Sequence, residues 1–361
     1  MTDEGVRTSA LVHRRVYRRG MDPVAALRRV AFLLERENAD SYRVKAYRGA
    51  AAALDAAGAE EVRRRIEAGT LGELPGVGPK TAAVATEALT TGEPAYLAEL
   101  EARPSPADRL SVEARELLAA QRGDCHTHSD WSDGGSPPLE MALACVELGH
   151  EWTVLTDHSP RLTVARGLTR ERLERQLDLV EQINSELAPF RYLTGIEVDI
   201  NEDGTLDQDD DLLARLDLVV ASVHSKLRSP SETMTPRMVR AIANPHVDVL
   251  GHCTGRLVAG GKSRPESEFE VEIIIEACRQ FDVALEINSR PERLDPPRRI
   301  LRQAVEADLL LAIDTDAHAP GQLDWQANGV ERAVECDVDG RRVITTWTAD
   351  ELLAWTQKRG R

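Results

Sequence analysis

No apolar stretch in this chain approaches the ~18 residues needed to span a bilayer, and the charged N-terminus lacks a signal-peptide core. Neither membrane association nor export is expected. Cysteines are few and form no pattern: Cys125, Cys145, Cys253, Cys278 and Cys336 are odd in number, scattered, and include no CxxC pair. That argues against a disulfide framework and for a reducing, cytoplasmic setting. Internal repeats and low-complexity segments are absent as well. What is present is a 361-residue chain, 42% apolar, long enough for one large domain and one small one.

The net charge of −16 is unevenly placed. Residues 1–120 carry 18 basic and 18 acidic side chains, whereas 121–361 carry 27 against 43. The first 50 residues hold 11 basic against 6 acidic. A mildly basic head on an acidic body suggests two units with different partners.

From Pro23 to Leu100 the pattern predicts helices. Val24, Leu27, Val30, Leu33 and Leu34 recur at helical spacing, and "SYRVKAYRGAAAAL" and "EEVRRRIEAG" continue the style. "LPGVGPKT" then forms a glycine turn that opens a helix. Backbone N–H groups at such a turn can face an anion, with Lys80 beside them. Gly76, Val77, Gly78, Lys80 and Thr81 are therefore candidate contacts to a DNA backbone, against the plainer reading of an interhelical turn. The arginines within residues 14–19 are a weaker candidate for the same role. Residues 101–121, with Pro104 and Pro106 followed by a short helix ("VEARELLAAQ"), read as a linker between a helical domain (1–100) and a second domain (122–355).

In the second domain apolar strand candidates alternate with helices, which predicts parallel strands in an α/β fold. Seven strand candidates suit a β/α barrel, with an open doubly wound sheet as the alternative. Nearly every candidate ends in a histidine or an acid: His126 and His128, His158, Glu197, His224, His252, then Asp316 and His318, with Asp133 just past the first. Strand C-termini converge on one face of a barrel, so these side chains would meet there. One strand-end histidine is usually a satisfied polar residue; six of the chain's nine, strand after strand, are not. Imidazole with carboxylate suits zinc, manganese or iron, and nine ligands would serve two or three divalent ions with open positions. Such a centre could turn a pocket in an acidic body net positive, as hydrolysis of an anionic phosphate ester requires.

These motifs (HTHSDWSDG, LTDHS, GIEVDI, SVHS, GHCTGR, EINSRPERLD and IDTDAH) resemble those of the PHP (polymerase and histidinol phosphatase) family across roughly residues 122–355. The resemblance implies a distorted seven-stranded, TIM-like β/α barrel holding up to three metals. It implies that His126, His128, Glu197 and Asp316 bind the first, that Glu197 bridges to a second with His224 and His252, and that Asp133, His158 and His318 hold the third. Glu197, Asp316 and His318 are the expected catalytic residues. "LLERENADSYRVKAYRGAAAAL" followed by "LPGVGPKTA" resembles the N-terminal helix-hairpin-helix domain of bacterial family X DNA polymerases. Only about twenty residues separate the two units, too few for a polymerase palm of a hundred or more. The expectation is thus a metal-dependent DNA phosphodiesterase, a 3′–5′ exonuclease or repair nuclease acting at 3′ ends or gaps, without polymerase activity. Two alternatives stay open: a phosphatase of a small monoester such as histidinol phosphate, and a non-catalytic DNA-binding scaffold. Lys226, Arg256, Arg290 and Arg293 follow strand ends and are candidate substrate contacts. Asp157 and Asp199 are candidates to orient ligands. Cys253 stands where related polymerases often have proline; it reads as a small buried residue rather than an oxidation-sensitive one.

Overall fold

The computed structural model describes residues 21–259 and 263–358, so the arginines of 14–19 lie outside the described residues. The chain divides into two compact units between Pro104 and Ser105.

The first unit is helical: α1 (Pro23–Arg36), α2 (Ser41–Ala57), α3 (Ala59–Ala68), α4 (Pro79–Thr90) and α5 (Ala95–Glu101). Asp22 starts α1 by accepting the Ala25 N–H at 2.8 Å, with proline at the first helical position, where its missing N–H costs nothing. The periodic face Leu27, Val30, Leu33 and Leu34 is fully buried against the other helices. Beside it the buried carboxylate of Glu35 accepts two bonds from Arg48, at 2.8 and 2.7 Å, a paired charge in place of an orphaned one.

The second unit holds one parallel sheet in chain order: β1 (Trp152–Leu155), β2 (Arg191–Asp199), β3 (Leu218–Ser222), β4 (Val249–Leu250), β5 (Ala284–Asn288) and β6 (Leu311–Asp314). The strands alternate in and out. Ile196, Val198, Val219, Leu285 and Ile313 pack under the surrounding helices. Val154, Leu193, Leu218, Val249, Ala284 and Ala312 point to the other face, near the strand N-termini, and are capped by Leu352 and Trp355 of the helix Ala349–Gln357. Farther along that same face the residues turn polar: Glu197, Ser222, Glu286 and Asp314, all buried. An apolar floor under a polar mouth is what places a charged site at the strand C-termini.

The sheet has six strands, not the expected seven. The first candidate, around Cys125-His126, joins both edges through isolated bridges, Thr127 to Leu155 and Thr127 to Ala317. Side chains are the reason. The N–H of Cys125 goes to Asp314 Oδ1 (2.8 Å), that of His126 to Asp124 Oδ1 (2.9 Å) and that of Thr127 to Thr156 Oγ1 (3.0 Å). Amides satisfied by side chains cannot also build a ladder.

The stretch read as linker carries the expected short helix, which belongs to the second unit. Pro106–Arg109 is a single 3-10 turn, and the helix Val112–Ala119 packs on the helix Gln326–Val334, with the Ser111 N–H bonded to Glu331. Ala114 is buried, and Pro106 opens a turn that belongs to the second unit, while Pro104 ends the first. Among the described residues no helix is long and apolar enough to cross a membrane.

Gly195 in β2 marks how closely the strands fit. A methyl group there would lie 2.5 Å from Val154 Cγ1 and 2.8 Å from the Leu218 carbonyl oxygen. Gly195→Ala is expected to cost about 1–3 kcal/mol, as overpacking does, read as a lower denaturant midpoint at unchanged slope.

Candidate metal centre and phosphate-binding hairpin

Glu197 sits at the middle of the second unit's polar mouth, 1% exposed. Its Oε2 lies 2.7 Å from His158 Nδ1, 3.4 Å from His126 Nε2 and 3.7 Å from His128 Nε2. Its Oε1 lies 2.9 Å from His252 Nε2 and 3.3 Å from His224 Nε2. Toward solvent, the partly exposed Asp133 Oδ1 is 3.3 Å from His318 Nε2 and 3.5 Å from His158 Nε2, and Asp316 Oδ1 is 3.4 Å from His128 Nε2. All nine candidate ligands therefore meet. Three groups have ligand atoms within 4.8 Å of one another: His126/His128/Glu197, His158/Glu197/His224 and His128/Asp133/His158/His318. The resemblance paired His252 with His224 at the second position; both approach Glu197 Oε1, and His158 stands within reach of His224 and Glu197 as well.

The donors fit divalent cations. His126 Nε2, both nitrogens of His128 and His224, His158 Nδ1 and Glu197 Oε2 are buried without a hydrogen-bond partner. Buried polar atoms in such numbers are rarely left unpaired, and imidazole with carboxylate is a donor set for zinc, manganese or iron.

The electrostatics carry the same message. Burial opposes charge on Glu197, His126, His128, His224 and Asp316. Even so, His224, His126 and His158 hold the Glu197 carboxyl well below its usual range. Glu197 and Glu286 hold His126 well above its own, against burial. His224, likewise against burial, is pushed up to about 9 by Glu197 and Asp199. His128 is driven well below by burial and then by His318 and His158. Asp316 is kept low, despite burial, by Arg290, His128, His126 and Arg293.

A cavity of about 410 Å³ opens onto this cluster, lined by Asp133, His158, His224, Asp316 and His318, by Arg290 and Arg293 with Glu292 beside Arg290, and by the apolar Leu162, Leu257 and Ala259. Arg290 donates to the Asp316 carbonyl oxygen at 2.9 Å, and Arg293 Nε to Asp316 Oδ2 at 3.1 Å. Two other candidates for substrate contact lie elsewhere. Lys226 is exposed and does not line the cavity. Arg256 turns into the protein, donating to the carbonyls of Arg293 and Leu294 and lying 3.5 Å from Glu266. The loop closing that part of the fold needs those bonds, and sequence spacing does not encode which way a long side chain turns.

Asp157 and Asp199 do not touch the candidate ions' space directly. Asp199 accepts the His224 backbone N–H at 3.2 Å and faces its Nδ1 at 3.6 Å. Asp157 accepts from Ser129, Ser132 and Gln176, pinning the loop that leads to Asp133. Two arginines that the sequence did not single out complete that loop: Arg166 donates to the carbonyls of Asp130 and Ser132, Arg172 to that of Trp131. Cys253 is buried beside Asp295, and burial pushes its thiol well up, so it stays a protonated packing residue.

In the first unit, Gly76 has φ +90°, a backbone region that disfavours a side chain. Gly78 caps α4, and its N–H is accepted by Thr81 Oγ1 at 2.9 Å, which donates back to the Gly78 carbonyl at 3.0 Å. Val77 and Thr81 are buried and shape the turn; Gly76, Gly78 and Lys80 are the exposed members. The candidate contact set thus narrows to those three.

Residues 21–94 match the helix-hairpin-helix domain family and residues 124–290 the PHP domain family. The chain is 40% identical over 248 residues to the DNA polymerase/3′–5′ exonuclease PolX of Bacillus subtilis, covering 69% of this chain and 43% of that enzyme. A probable phosphatase of Thermoanaerobacter sp. strain X514 is 28% identical over 206 residues, covering 54% of this chain and 78% of the relative. Among solved structures, histidinol phosphate phosphatase from Lactococcus lactis, complexed with zinc, L-histidinol and phosphate, aligns at 16% identity with a TM-score of 0.45, over 60% of this chain and 92% of that one.

Two outcomes follow from the geometry. Glu197→Ala removes the carboxylate that five histidines approach, and elemental analysis is expected to find at least one bound cation fewer per chain than in the wild type. His224, with its pKa at about 9, holds a proton near pH 7 in the metal-free protein and must release it to accept a cation. Cation affinity should therefore rise as pH increases from 7 toward 9 and level off above, with net proton release near pH 7 seen by calorimetry in buffers of different ionisation enthalpy.

Proposed function

We propose that this chain, which belongs to the PHP domain family in its larger unit and carries a helix-hairpin-helix domain in its smaller one, is a metal-dependent phosphodiesterase that removes nucleotides from DNA 3′ ends. Its relatives include an enzyme named for 3′–5′ exonuclease activity and probable phosphatases. The observation that carries the reading is the pairing of an exposed glycine hairpin bearing Lys80 with a cavity walled by histidines, carboxylates and two arginines.

His126, His128, Asp133, His158, Glu197, His224, His252, Asp316 and His318 would hold two or three divalent ions, of zinc, manganese or iron. Such ions, when bound, activate water and stabilise charge developing on a phosphoryl group. The chain's own residues do the rest. Arg290 and Arg293 keep Asp316 ionised and put positive charge on the cavity wall, where a phosphodiester can be drawn in. Leu162, Leu257 and Ala259 offer an apolar wall against which a sugar or base can rest while water is excluded. At about 410 Å³ the cavity suits one nucleotide at a time, which favours a strand end over cleavage within a duplex. The hairpin, through Gly76 and Lys80, grips DNA by its phosphates without reading sequence, the Gly78 N–H being spent on Thr81.

A polymerase role finds no room between the units: residues 102–123 hold only a 3-10 turn and an eight-residue helix. The second reading, a small-monoester phosphatase, draws on the enclosed cavity and the phosphatase relatives, yet leaves the hairpin without a task.

The test is a time course on a 5′-labelled gapped duplex with Mn²⁺, comparing wild type with Glu197→Ala. Stepwise 3′ shortening, lost in the variant, is expected; an intact duplex beside rapid release of phosphate from histidinol phosphate would transfer the proposal to the second reading. Lys80→Glu should weaken DNA binding several-fold and lower the salt slope of binding by about 1 or more. Hydrolysis of a small aryl phosphodiester by that variant should stay at the wild-type rate.

A further inference from the structure

Every strand end of the polar mouth supplies a candidate ligand except that of β5. Yet β5 carries two fully buried polar side chains, Glu286 and Asn288, on the face that looks into the mouth. A carboxylate in an otherwise apolar strand is costly to bury unless it is partnered. The partners of Glu286 are members of the centre or its brace. Its Oε1 is 2.6 Å from His126 Nδ1. Its Oε2 accepts the backbone N–H of His252 and, at 3.2 Å, the side-chain amide of Asn288. That amide also donates to Asp316 Oδ2 at 3.2 Å.

Glu286 already accepts two N–H groups through Oε2, and its Oε1 at 2.6 Å is placed to accept a third from the ring, which puts the proton on His126 Nδ1. The nitrogen offered to the centre is then Nε2, which is buried, has no hydrogen-bond partner and lies 3.4 Å from Glu197 Oε2. Glu286 belongs to none of the three groups able to hold an ion. It stands behind the histidine, on the side away from Glu197.

We propose that Glu286, steadied by Asn288, is a positioning residue of the metal centre. It fixes which nitrogen of His126 is presented and how the ring is turned, and it ties down the backbone at His252, while Asn288 links this brace to Asp316. One strand without a ligand thus sets ligands borne by three other segments. The proposal rests on the metal-centre reading above and concerns how ions are held, not which ester is cut.

The experiment uses the full chain, stripped with chelator and refilled with Co²⁺, and compares wild type with Glu286→Gln. Glutamine keeps the shape but sets an N–H₂ group against the His252 N–H or the His126 ring. The readouts are Co²⁺ affinity by competition with a chromophoric chelator, the visible absorption of bound Co²⁺, and the thermal melt of the metal-free protein. The expected result is a 10–100-fold loss of affinity for one ion, the range typical of groups that support a histidine ligand, with changed absorption and another ion still bound near Asp133. Wild-type affinity and absorption in Glu286→Gln would overturn the proposal. Should that variant not fold, Asn288→Ser takes its place; it leaves the carboxylate and removes the brace, and unaltered Co²⁺ binding there would be equally decisive against. A wild-type chain that binds no Co²⁺ sinks the metal centre itself, whereas DNA left uncut by a Co²⁺-binding wild type sinks only the proposed activity.

Discussion

A carboxylate buried at the centre of five imidazoles governs this molecule. Glu197 has almost no access to water, so its charge must be balanced from within. In the metal-free protein protons on His126 and His224 provide part of that balance; divalent cations would provide it more fully. The rest of the second unit is arranged around this demand. Parallel strands bring distant histidines to one end, an apolar floor seals the other, and carboxylates such as Asp199 and Glu286 stand behind the rings that face Glu197. The bare nitrogens of His128 and the low pKa of Asp316 belong to the same arrangement.

Much of this was legible in the sequence because metal chemistry needs uncommon residues at definite places. Histidine or acid at the end of one apolar segment after another is a pattern that packing alone does not produce, and it located all nine members of the cluster. The alternation of strands and helices likewise anticipated a parallel sheet. What escaped depended on directions and hydrogen bonds that no spacing encodes. The segment at Cys125 has the composition of a strand, yet its amides are taken by side-chain oxygens. Arg256 sits at a strand end and turns away from the mouth. Thr81 lies in the hairpin but closes its own helix cap. Glu286 was hidden for the opposite reason: one acid in "ALEIN" carries no pattern, and its meaning comes only from a histidine 160 positions earlier.

The two units divide the proposed task by chemistry. The first has balanced charge and presents an exposed hairpin whose value for binding lies in backbone and one lysine, a means of holding nucleic acid whatever its sequence. The second carries the whole net negative charge, a poor surface for a polyanion everywhere except where arginines and cations gather. An acidic exterior around a mouth that bound cations would turn positive suits the proposed entry of one strand end better than broad adhesion.

The way the sheet closes has its own consequence. Six strands form a belt, and the segment through Thr127 is the buckle, fastened on each side by isolated bridges. In an ordinary ladder, amides protect one another whatever side chains are present. Here the amides of residues 125 to 127 are held by Asp314, Asp124 and Thr156, while backbone bonds from Val154 and Thr156 to the Asp124 and Thr127 carbonyls, and from His128 to the Ala317 carbonyl, fasten the buckle to both edges. His126 and His128 ride on it. The joining of the sheet's two edges and the placement of two histidines of the cluster thus depend on the same short segment: slack at this seam would move His126 and His128 together.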